Sequence, residues 1–173
     1  MLPYNLSLKN LDEGIRNLVV NINRIPEAYT NTTCEGHIWR DCPNWPTKDG
    51  WIHFNVHNKI NEDLTAKIKK EFLETHQKIF ELEEGGNALY QDYFHNTMVA
   101  HYESHDRGKL FSRINEQEQQ EYFKRADERR KEILRGWIDF DGVIVSYLKD
   151  RFGMDYEKLP FRESESGTFI QNI

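Results

Sequence analysis

The segment Trp51-Ile52-His53-Phe54-Asn55-Val56-His57 alternates in side-chain character without a break. Successive side chains of a strand point to opposite faces, so a period of two is a strand signature. Ile52, Phe54 and Val56 then share one face, and Trp51, His53, Asn55 and His57 share the other. The apolar face needs a covering layer, and a lone strand leaves its backbone groups unpaired. The chain must therefore hold further strands and something to pack on them.

Both are legible. Leu8, Leu11, Ile15, Leu18, Val19 and Ile22 recur at helical spacing, Asn10 and Glu13 have capping-box spacing, and Pro26 ends the run. A first helix is expected over 10–23. Residues 28–34 are threonine-rich and predict a strand, with Ala28, Thr30, Thr32 and Cys34 on one face. Proline, asparagine and glycine make 38–50 a loop. A second helix is expected to be capped by Asn61, to carry Leu64, Ile68, Phe72, Thr75, Ile79 and Leu82 on one stripe, and to stop at Gly85-Gly86. Residues 88–95 and 97–104 read as strands about a turn at Asn96. Glu116 to Arg135 reads as a charged helix continued by Trp137 to Phe152, with a kink or break at Gly136 or Gly142. The tail 154–173 is expected to be loosely held. The strands and helices follow no βαβ rhythm and no linker divides them. The expectation is one α+β domain over 1–173, with a mixed or antiparallel sheet flanked by helices and a long C-terminal helix or helix pair.

Chemistry concentrates in one place. Between Tyr29 and Asn58 lie both cysteines, three of the seven histidines and three of the four tryptophans. A strand ending in Thr-Thr-Cys-Glu-Gly-His brings hydroxyls, a thiol, amides and an imidazole to one point, the usual makeup of a small-molecule pocket. Cys34, His37 and His57 are the candidate catalytic groups, with Thr32, Thr33, Gly36, Trp51 and His53 lining a cofactor site. This requires the Cys34 turn and His57 to open into one hollow, and Cys34 to be activated by a neighbour such as His37. The alternative is a non-catalytic module stabilised by zinc on Cys34, His37 and Cys42, with His53 or His57 as a fourth ligand.

Thr32-Thr33-Cys34-Glu35-Gly36-His37-Ile38 resembles the Ser-Ser-Cys-Ser-Gly-Arg-Ile element of the wybutosine-synthesis methyltransferase family. Asp49-Gly50-Trp51-Ile52-His53-Phe54-Asn55-Val56-His57 is similar to the Gly-Trp strand ending in histidine that follows it there. The likeness covers residues 10–60. It implies S-adenosylmethionine as cofactor, methyl transfer to a modified guanosine of transfer RNA, and Thr33, Cys34, Gly36 and His57 in the pocket. His37 in place of arginine and Glu35 in place of serine change the charge at that turn.

The remaining partners follow from charge and hydropathy. The formal net charge is −6, which disfavours nucleic acid as a partner unless a local basic patch exists. Lys124, Arg125, Arg129, Arg130, Lys131 and Arg135 are interleaved with acids and read as a solvated helix face, with Tyr122 and Phe123 as stacking partners in the nucleic-acid alternative. His101, Glu103 and His105 form a lesser metal candidate. No apolar run approaches the roughly 20 residues that span a bilayer, and the N-terminus lacks a signal-peptide pattern, so a cytoplasmic protein with reduced cysteines is expected. The oligomeric state has no signature in the sequence.

Overall fold

The computed structural model describes residues 11–42, 45–87, 92–103 and 111–160. A 3-10 turn at Glu13–Ile15 leads into α1 (Arg16–Arg24), β1 (Ala28–Cys34), the two-residue strands β2 (His37–Ile38) and β3 (Thr47–Lys48), and β4 (Gly50–His57). Then come α2 (Asn58–Ile68), a π-helical turn at Lys69–Leu73, the short α3 (Glu74–His76), β5 (Phe80–Asn87), β6 (Tyr93–Ala100) and α4 (Glu116–Phe152), with a last 3-10 turn at Met154–Lys158. Four strands make one sheet in the order β1-β4-β6-β5, every neighbouring pair antiparallel. The chain is thus α+β, with a long C-terminal helix.

The alternating strand lies at the centre of the sheet, paired on both sides. Ile52, Phe54 and Val56 are fully buried and join Met98, Ala100 and Phe80 on one sheet face. Ile15, Leu18, Ile22, Leu64, Ile68, Phe72, Ile133, Trp137, Phe140 and Ile144 complete that core from the helices. The opposite sheet face carries Trp51, His53, Asn55 and His57, with Thr97, His95 and Tyr93 across from the last three.

Several expectations change for identifiable reasons. A bulge in β1 between Thr30 and Thr33 inserts an extra residue, so the side chains after it swap faces. Thr33 pairs with Ile52 and Cys34 with Trp51, which puts Cys34 on the face opposite Thr30. The loop 38–50 contains the β2–β3 hairpin. The helix expected to reach Gly85 ends at His76, because Phe80-Glu-Leu-Glu pairs with β6 instead, and both glycines lie in β5. Asn96 is no turn: it is fully buried mid-strand and donates to Asn61 Oδ1 at 2.8 Å. Helix α2 is capped by His57 rather than Asn61. Helix α4 runs unbroken through Gly136 and Gly142. Residues 154–158 form an ordered turn, whereas 161–173, Asn10, residues 88–91 and His105 lie outside the described residues.

Candidate metal centre

The turn after β1 is built around Glu35. Its amide donates to Asp12 Oδ2 at 3.0 Å, and its carbonyl accepts from Trp137 Nε1 at 3.1 Å. One carboxylate oxygen accepts from the Gly14 amide at 2.9 Å and the other from Arg130 Nη2 at 2.6 Å. Arg130 Nη1 donates to the Gly36 carbonyl as well. A single residue therefore ties the N-terminal segment, the strand end and α4 together. Gly36 has φ of +94°, a conformation L side chains rarely adopt. Gly50 must also lack a side chain, since a Cβ there would lie 2.7 Å from the Glu35 carbonyl oxygen.

This packing brings Asp12, Cys34 and His37 together, with one ligand atom of each within 4.8 Å of the others. His37 Nε2 stands 3.6 Å from Asp12 Oδ2, and its ring lies parallel to Trp39 at 6.4 Å. Tetrahedral zinc with ordinary bond lengths separates such ligand atoms by about 3.3–3.6 Å, so closure needs a shift of about 1 Å at most. Cys34 is 4% exposed. Burial pushes its thiol pKa up, opposed by a hydrogen bond from the Gly36 backbone and by the Lys48 charge, and reinforced by Asp12 and Glu35. The surroundings thus favour the protonated thiol, and the groups that oppose this are the Gly36 backbone and Lys48. Two carboxylates beside a buried thiol form an environment in which a cation could replace the thiol proton.

The other expected site residues disperse. His57 sits six residues along β4 from Trp51, the partner of Cys34, a separation of roughly 20 Å at strand rise. The shared hollow is not formed. His57 Nδ1 instead accepts from the Lys59 amide at 3.2 Å, capping α2, and its ring meets Tyr93 edge-on. His53 Nδ1 hydrogen-bonds Thr97 Oγ1 at 2.7 Å and its ring stacks on His95 at 5.3 Å. Trp51 lies under the Lys48 ammonium, 4.7 Å from the ring centre. Thr33 is buried beside Ile52, and Thr32 is half-buried in the bulge. Cys42 stands outside the triad: Trp39 N–H to Pro46 O extends the β2–β3 hairpin and leaves Cys42 toward its tip. Surface clefts of about 510 Å³ lie elsewhere, one lined by Asp63, Lys67, Tyr147 and Arg151 and one by Glu103, Arg125 and Arg129.

No family model matches the chain, and no match was found among curated proteins or solved structures. The site is therefore read from its own chemistry. The reading of α4 as a solvated face missed Arg130. Its signal was positional: Ala126, Arg130, Ile133, Trp137, Phe140 and Ile144 follow one helical stripe, so this arginine faces the packed side and needs a partner there. Tyr122 and Phe123 pack edge-on against Phe111, and Arg125 and Arg129 pair with Glu103. His101 hydrogen-bonds Asp49 at 2.9 Å.

Proposed function

We propose that the protein binds zinc or a chemically similar divalent cation through Asp12, Cys34 and His37, leaving a fourth tetrahedral position for water or a substrate oxygen. The convergence of a thiol, an imidazole and a carboxylate from two separate chain segments carries this reading. Thiolate and imidazole select zinc over magnesium or calcium. Three protein ligands with an open position is the pattern of catalytic zinc, which lowers the pKa of its bound water to about 7. A zinc ion held there would supply Lewis-acid character to an oxygen at that fourth position. The methyl-donor reading rests on the sequence resemblance, and the separation of His57 from Cys34 lends it no support.

The test is titration of chelator-treated protein with Zn(II) and Co(II). One equivalent should bind, raise the melting temperature by mass action, and give a thiolate–Co(II) absorption band. Cys34→Ser should abolish the band, His37→Gln should weaken binding so that the band appears only at higher Co(II), and Cys42→Ser should leave both band and affinity intact. Absence of saturable binding at micromolar zinc, or binding indifferent to Cys34 and His37, would overturn the proposal.

A further inference from the structure

Only Glu35 and Gly36 separate Cys34 from His37, and one side chain of α4 holds both. Arg130 Nη1 donates to the Gly36 carbonyl, and Nη2 donates to Glu35 Oε1 at 2.6 Å. The planar fork of a guanidinium fixes two such bonds in one geometry, which the point charge of an ammonium does not. The third ligand depends on Arg130 at one remove. The Glu35 amide donates to Asp12 Oδ2 at 3.0 Å, and Glu35 Oε2 accepts from the Gly14 amide at 2.9 Å. Burial works against the Arg130 charge, but Tyr102 and Glu35 outweigh it, so the guanidinium pKa is raised and the fork stays charged.

We infer that Arg130 is a positioning residue for the Asp12–Cys34–His37 centre, setting Cys34 and His37 through the turn between them and Asp12 through Glu35. The inference rests on the metal reading above. A turn that must order itself around the ion loses part of the binding energy to that ordering, and a turn already held does not. Outer partners that orient ligands are worth roughly 10–100-fold in metal affinity. Charge alone predicts the opposite sign: a cation removed from the neighbourhood of a bound dication should tighten binding.

Arg130→Met removes the fork, and Arg130→Lys keeps the charge without it. Arg151→Met is the matched control. Arg151 leaves the same helix and meets Glu27 Oε1 at 2.8 Å, its side chain 33% exposed against 30% for Arg130. All three variants should melt somewhat lower than wild type without metal. Arg130→Met should bind Co(II) roughly 10–100-fold more weakly, and Arg130→Lys should fall between it and wild type. Arg151→Met should bind as wild type does. Binding by Arg130→Met that is unchanged or tighter, or an equal weakening in Arg151→Met, would sink the assignment. If Arg130→Met does not fold, wild-type affinity in Arg130→Lys does the same. Wild-type protein that binds no metal would defeat the metal reading and this inference together. Wild-type binding that needs Cys34 and is indifferent to Arg130 would defeat this one alone.

Discussion

Glu35 was legible in the sequence as a charge at the turn between a cysteine and a glycine, with no sign of its partners. Its contacts reach Gly14 on one side and Arg130, 95 residues away, on the other. Local spacing exposes Cys34 and His37 as neighbours because three residues separate them across a turn. It cannot expose Asp12, whose carboxylate meets the turn 23 residues later in the chain. The Glu35 side chain is 12% exposed and that of Arg130 is 30%. Glu35→Gln keeps the shape but leaves the guanidinium without its counter-charge. Loss of one partner of a buried pair is strongly destabilising; with Arg130 partly in water, a cost of about 2–3 kcal/mol is expected in urea unfolding. A cost under about 0.5 kcal/mol would show that the joint holds nothing together.

Helix α4 illustrates why glycine in a helical pattern is an ambiguous mark. Its cap is firm, with the Asn115 side chain accepting from the Glu118 amide and Glu118 answering to the Asn115 amide. Neither internal glycine interrupts it. At Gly136 a Cβ would fall 2.2 Å from the Phe80 ring, so this glycine is a notch for an aromatic of β5. At Gly142 nothing lies within 4 Å. Opposite signs are therefore expected from one substitution on one helix. Gly136→Ala should cost about 1–3 kcal/mol from overpacking, net of its helix-propensity gain. Gly142→Ala should gain up to about 1 kcal/mol. Thermal melts of the two variants check this, and equal effects would contradict the packing described. The end of the second helix shows the same limit: Ile79 and Leu82 fit a helical stripe, yet Ile79 lies in a turn and Leu82 pairs with Met98 in the sheet.

Across the whole molecule, the sheet face opposite the helices sets an acid response. Burial, and then the charge of His95, hold the His53 pKa below its ordinary 6.5. A histidine depressed in the folded state favours folding in its neutral form. Its contribution is complete above 6.5 and is lost as pH falls through the lower folded value. Wild-type protein should therefore lose melting temperature over that window more steeply than His53→Gln, and parallel curves would remove His53 from the account. The α+β class, β1 and β4 as strands, and the meeting of Cys34 with His37 were determined by the sequence alone, because strand periodicity and a glycine turn are properties of neighbouring residues. The bulge that moved Cys34 to the other face, the distance between Cys34 and His57, and the arrival of Asp12 and Arg130 at the turn were decided only by the tertiary structure. Those depend on register and on which helix covers which strand end, and side chains far apart in the chain meet only after the sheet has closed.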